Sequence, residues 1–153
     1  MTHYYADSSV LVKRHIRETG TDWLQALINP VVGATVFTSQ ISVVEVFSTF
    51  NRRIREGELS LADYATLGAD FTSLCNTDYQ LVAFAVALRD RASNLLEQHP
   101  LRAYDAIQLA TAIATNEILT AAGLTPLMFL SADNRLLNAA RVTGLATENP
   151  NDH

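Results

Sequence analysis

The chain is poor in the residues that build several common sites. It has one cysteine, Cys75, so a disulfide framework and a cysteine-based zinc site are both excluded. Cys75 itself reads as a small buried hydrophobe. The four histidines, His3, His15, His99 and His153, form no H-x-x-x-H pair. No G-x-G-x-x-G follows a strand, no G-x-x-x-x-G-K-[ST] occurs, and no G-x-S-x-G elbow is present. Dinucleotide, P-loop and serine-hydrolase readings therefore lack their supporting residues. The longest apolar run, "LVAFAVAL", is far too short to span a bilayer. The N-terminus, "MTHYYADSS", has neither a basic n-region nor an apolar h-region. These absences lead to the expectation of a cytoplasmic protein with no membrane partner.

Among the eleven basic side chains only Lys13 is a lysine, and the net charge is −5. That balance argues against a broadly basic nucleic-acid surface. The basic residues nevertheless cluster, as Lys13, Arg14 and Arg17 and again as Arg52, Arg53 and Arg55. Arginine suits bidentate phosphate contact, whereas solvated helix faces are the plainer reading. Lys13, Arg14, Arg52 and Arg53 are the candidates for contact with nucleic-acid phosphate. If a metal held four of the carboxylates, the remaining surface would be close to neutral.

The chain has 153 residues, 48% hydrophobic and 18% charged, which is enough for one domain with a real core. No repeat, low-complexity tract or flexible linker interrupts it. "HYYA" reads as a short strand ending at Asp7, and "SSVLVKRHIR" as a helix opened by serine caps. "TDWLQALI" follows as a helix capped by Thr21, and "TVFTS" as a strand. From Ser39 a long helix carries Ile41, Val44, Phe47 (or Ser48) and Ile54 at helical spacing and stops at Gly57. Ser60 and Asp63 open the helix "SLADYATLGADFTSLCN". "YQLVA", "PLMFLS" and "LATE" read as strands. Helices over "ALRDRASNLLEQ", the "YDAIQLATAIAT" region and "DNRLLNAARVTG" separate them. This alternation predicts an α/β fold, a three-layer α/β/α sandwich around a short, mainly parallel sheet. Residues 1–148 make one domain, and 149–153 are expected to fray. In such sheets ligands bind beyond the carboxyl ends of the strands, at a topological switch point.

Carboxylates are the chemistry that remains. Asp7 directly follows the first strand, and Asp133 follows "PLMFLS" after one residue. Each could be no more than a helix N-cap. Glu45 lies inside the long helix among Val43, Val44, Val46 and Phe47, where a bond to Thr49 or Arg52 is the plainer alternative. Asp105 interrupts an otherwise apolar helix near its start, where the helix dipole favours an acid. Taken jointly, two strand ends and two helix faces can converge on one crevice. Four carboxylates crowded together repel one another, and a divalent cation reverses that sign. A histidine-free set of oxygen ligands suits Mg²⁺ or Mn²⁺ better than zinc. One or two such ions can activate water for in-line attack on a phosphodiester.

At these residues the chain resembles the PIN-domain ribonucleases, in particular the VapC-type toxins of toxin–antitoxin pairs. The likeness is carried by "YADSSVLVK", "ISVVEVFSTF", "RAYDAIQLATA" and "FLSADNRLLNAARVTGL", which stand in the family's order across essentially the whole chain. The resemblance implies that Asp7, Glu45, Asp105 and Asp133 form an acidic, catalytic metal site, with Ser9 and Ser131 as supporting hydroxyls. It implies an Mg²⁺- or Mn²⁺-dependent endoribonuclease leaving 3′-hydroxyl and 5′-phosphate ends. It further implies a homodimer inhibited by a cognate antitoxin, and a substrate groove formed in part by the helical hairpin at Ser60–Asn76. Two other readings stay open. One is a PIN-fold binding or regulatory protein with weak catalysis. The other is aspartate-phosphoacceptor or phosphatase chemistry with Asp7 as nucleophile, which would want a second acid beside Asp7 and a later lysine; neither is present.

Overall fold

Five short strands pair side by side, all in parallel, in the order β3-β2-β1-β4-β5. They are β1 (Thr2–Ala6), β2 (Ala34–Ser39), β3 (Tyr79–Val82), β4 (Met128–Leu130) and β5 (Ala146–Glu148). The computed structural model describes residues 1–153. Seven helices connect the strands: α1 (Ser8–His15), α2 (Thr21–Leu27), α3 (Gln40–Arg55), α4 (Leu61–Thr77), α5 (Val86–Gln98), α6 (Ala103–Ala121) and α7 (Asn134–Val142). No helix is long and apolar enough to cross a membrane.

The sheet is wound in two directions from β1, and the helices divide accordingly. Crossovers between parallel strands are right-handed. Stepping from β1 to β3 therefore places α1 to α4 on one face, and stepping on to β4 and β5 places α5 to α7 on the other. Side chains alternate along β1 in agreement. Tyr4 and Ala6 join Val10, Val46, Phe50 and Phe71 in one core, while Tyr5 joins Leu109, Phe129 and Leu137 in the other. Burial on both faces explains why the central strands read as nearly unbroken apolar runs. The three-layer α/β/α expectation is met.

Three local expectations are corrected. In α3 the buried stripe is Ser42, Val46 and Phe50, and Val44 is 70% exposed. The core-facing row includes a serine because its hydroxyl has buried polar partners, so apolar spacing alone misplaced Val44, whereas Phe47 does pack against the core. Thr21 is not the cap of α2; Gly20 is, with φ 83°. The Thr21 hydroxyl instead donates to Lys13 O and accepts from Glu18 N, both at 2.9 Å. Helix α1 is capped by Asp7, not by a serine.

The C-terminal residues 149–153 are held by contacts rather than frayed, with Asn149 and Pro150 buried and Asn151, Asp152 and His153 exposed. Pro150–Asp152 form a single 3₁₀ turn capped by Asn149, which is buried. The Asn149 side chain donates to Asn134 Oδ1 at 3.0 Å, and the His153 ring stacks on Trp23 with centroids 3.9 Å apart. A side chain at Gly20 would collide with the Pro150 carbonyl, so glycine serves both the left-handed backbone and the close approach.

Candidate metal centre at the switch point

The order of the sheet reverses between β1 and β4, and the crevice lies beyond their carboxyl ends. Asp7 occupies this position as the first residue after β1. It is 5% exposed. Ser9 Oγ donates to Asp7 Oδ1 at 2.6 Å, Val10 N donates to the same oxygen at 3.1 Å, and Ser131 Oγ donates to Oδ2 at 2.5 Å. Both serines also accept: Ser9 Oγ from Ala132 N at 3.1 Å and Ser131 Oγ from Asp133 N at 3.0 Å. The two hydroxyls thus tie the end of β1 to the turn after β4. Burial, above all, pushes the Asp7 carboxyl up to about 6. Hydrogen bonds from Ser131, Ser9 and Val10 work against that rise, and the charge of Glu45 adds to it.

Glu45 projects from α3 towards the same corner. Ser8 Oγ donates to its Oε2 at 2.5 Å, and Gln108 Nε2 of α6 donates to its Oε1 at 3.3 Å. The alternative partners Thr49 and Arg52 are not used. Burial raises the Glu45 carboxyl, the Ser8 and Gln108 bonds oppose this, and the charge of Asp105 adds to it. Asp7, Glu45 and Asp105 are therefore linked by like-charge repulsion, the condition a cation relieves.

Gln108 belongs to a polar network that sequence reasoning missed. It is 2% exposed. Its Oε1 accepts from Tyr5 OH at 2.6 Å, and its Nε2 also donates to Ser42 Oγ at 2.8 Å. The Ser42 and Thr38 hydroxyls are 2.8 Å apart, and Thr38 Oγ1 donates to Ala6 O at 2.7 Å. Ser8 was also missed as the partner of Glu45. The available signal for Gln108 was a lone long polar side chain in "AIQLATAIA", three residues beyond Asp105 and so on the same helix face.

Asp105 and Asp133 are held differently. Asp105 Oδ2 accepts from Arg102 N at 3.2 Å, closing the first turn of α6. Asp133 is the N-cap of α7 and accepts from Arg135 N at 2.9 Å, with the Arg135 guanidinium 3.9 Å away. No three histidine, cysteine, aspartate or glutamate side chains stand close enough to hold a metal ion among them. Magnesium does not require such a cage, since it usually takes one or two carboxylates and completes its shell with water and substrate phosphate. Asp7 and Glu45, mutually repelling and made only of hard oxygen donors, fit that requirement in kind.

The four basic candidates separate into two places. Lys13, Arg52 and Arg53 line a cavity beside Ser8 and Ser9. Arg14 lies elsewhere: it donates to Tyr79 OH at 3.0 Å and sits over the Tyr79 ring.

A doubly wound parallel sheet with a buried acid at its switch point defines a class of α/β proteins that act beyond the strand ends. Within that class the chain belongs to the PIN domain family, whose model matches residues 4–142. Among solved structures it is similar to FitAcB from Neisseria gonorrhoeae, with 17% identity over 96% of this chain and 97% of that one and a TM-score of 0.64. It is also similar to VapBC2 from Rickettsia felis, solved bound to a DNA fragment from their promoter, with 15% identity, 97% and 98% coverage and a TM-score of 0.63. A toxin–antitoxin complex from Klebsiella pneumoniae matches at 14% identity, 96% and 97% coverage and a TM-score of 0.61. At these identities the likeness establishes the fold. No curated protein matches the chain.

Proposed function

We propose that this chain is a divalent-metal-dependent endoribonuclease, the toxin of a toxin–antitoxin pair. The observation that carries this reading is Asp7: a buried carboxylate at the switch point, oriented by three donors and repelled by Glu45. Membership of the PIN family, whose domains are generally nucleases, and a structural neighbour solved as a toxin–antitoxin complex support it.

In this reading Asp7 and Glu45 would hold Mg²⁺ or Mn²⁺, with Asp105 and Asp133 as the further acids of the site. A bound divalent ion supplies charge neutralisation at phosphorus and water of lowered pKa. Ser9, Ser131 and the Val10 N–H keep Asp7 ionised and aimed, while Ser8 and Gln108 do so for Glu45. The substrate is RNA, the partners are a cognate antitoxin and a second copy of the chain, and the setting is the cytoplasm.

A second reading, a PIN-fold binding protein without catalysis, draws on the local helix-end bonds of Asp105 and Asp133. One experiment separates the two. Asp7→Asn is expected to lower Mn²⁺-dependent RNA cleavage by about a thousandfold or more, the several kcal/mol a metal supplies, while the chain still melts cooperatively. Asp105→Asn should also abolish cleavage. Wild-type rates in either variant would overturn the nuclease assignment. Added Mn²⁺ should raise the wild-type melting temperature by mass action, and a flat series would count against the site.

A further inference from the structure

Beside the acids, and sharing a wall with them, lies a cavity of about 350 Å³, within the ~300–1,000 Å³ range of small-ligand sites. The shared wall is the first turn of α1: Ser8 holds Glu45, Ser9 holds Asp7, and both also line the cavity. Its other side carries Lys13, Arg52 and Arg53 with one acid, Glu18. Lys13 is the chain's only lysine and is 5% exposed. Its ammonium donates to Glu18 Oε2 at 2.9 Å and to Thr19 O at 3.1 Å. Arg53 donates to the other oxygen of the same carboxylate. Burial alone would raise the Glu18 carboxyl, but the Lys13 and Arg53 bonds outweigh it and hold it below its ordinary value. Glu58, 4.0 Å from Arg53, is more exposed and does not line the cavity. Arg52 is exposed and pairs with no carboxylate.

Two cations thus converge on the two oxygens of one acid while a third stands free beside them. A chain with net charge −5 concentrates positive charge in this one concavity, one helical turn from its carboxylates. Lysine and arginine gathered around a bidentate anion are the chemistry of a phosphate site, and here the anion is the protein's own.

We propose that this cavity binds the phosphate next to the scissile one in single-stranded RNA, and that Glu18 occupies the phosphate position until RNA displaces it. The assignment rests on the nuclease reading for the word scissile, and on the cavity alone for the phosphate. An RNA strand crossing the α1 N-terminus meets the carboxylate pair on one side and the cations on the other. The exchange is favoured because Lys13 is already buried and Arg53 half-buried, both aimed by the glutamate they release.

The test measures binding of a fluorescein-labelled oligouridylate to the full chain by anisotropy across a salt series, with EDTA present so that nothing is cut. Arg52→Ala should weaken binding and reduce the slope of log Kd against log salt by about 0.7, the loss of one single-strand phosphate contact. Glu18→Gln should bind more tightly, with a steeper slope, while its melting temperature falls because Lys13 loses its partner. These opposite signs are what a purely structural ion pair would not give. An unchanged slope in Arg52→Ala, together with unchanged or weaker binding in Glu18→Gln, would overturn the proposal. If Glu18→Gln fails to fold, the Arg52→Ala slope alone decides. Displacement of the RNA by oligoglutamate in preference to inorganic phosphate would overturn it in favour of an acidic peptide. Cleavage by wild type in Mn²⁺ is scored separately. Its absence alongside an Arg52-dependent slope would remove only the nuclease reading, and its presence with a flat slope would remove only this cavity.

Discussion

The four candidate acids fall into two pairs that are supported in different ways. Asp7 and Glu45 each have a donor from a distant part of the chain: Ser131 for Asp7, which is also held by Ser9 and Val10 of the helix it caps, and Ser8 and Gln108 for Glu45. Asp105 and Asp133 take theirs from the first turns of their own helices, at Arg102 and Arg135. The first pair depends on the assembled fold and is partly desolvated, so its charge is costly and its aim is set. The second pair would keep its bonds in an isolated helix, and it stands nearer to water.

The largest effect should come from the desolvation of Asp7. In metal-free protein its carboxyl is raised from 3.8 to about 6, so the folded chain binds that proton more tightly than the unfolded chain. Stability from this group is fully present below about 3.8 and is lost as pH rises through about 6. A rise of that size corresponds to about 3 kcal/mol. His15, lowered by burial to about 4, works in the opposite direction over the same window, so wild type alone would mask the effect. Subtracting the Asp7→Asn melting profile isolates it, and wild type should lose stability relative to the variant between about pH 4 and pH 6.5. A difference independent of pH would mean that Asp7 is not desolvated, and the contrast between the pairs would disappear.

Next in size is Gln108→Leu. It strands the buried Tyr5 hydroxyl and removes a donor from Glu45, at a cost of about 1–3 kcal/mol. Mn²⁺ affinity should fall about 10- to 100-fold through loss of an orienting partner, read by calorimetric titration. Loss of stability with unchanged Mn²⁺ affinity would make the network structural only. The smallest effect separates cap from ligand at Asp133. Asp133→Ala should cost about 1 kcal/mol as a lost N-cap, whereas Asp133→Asn should cost almost none, because asparagine caps as well as aspartate. Both should cleave RNA more slowly. Asparagine at full activity would leave Asp133 as a cap and nothing more.

Much of this was legible residue by residue. Alternation of short apolar runs with helical periods reveals a parallel α/β sheet, because each period is a local property of the chain. An acid directly after a strand, as at Asp7, or inside an apolar helix, as at Glu45, is visible as a local exception. The α3 register misled because Ser42 is polar in composition yet buried in fact, and only its partners Gln108 and Thr38 make that tolerable. The tail misled similarly: "NPNDH" reads as a frayed end until Trp23 and Asn134 are brought against it.

What the sequence determined by itself is the order of the elements and the two-sided burial of the central strands, since both follow from local pattern. Tertiary structure decided which donors hold each acid, which basic residues line the cavity beside Ser8 and Ser9 and which face of α3 is inward. Those outcomes depend on contacts such as Tyr5 with Gln108 and Asp7 with Ser131, between residues more than a hundred positions apart. Only chain folding brings such groups within hydrogen-bonding distance, and a buried polar group is stable only where that partner is met.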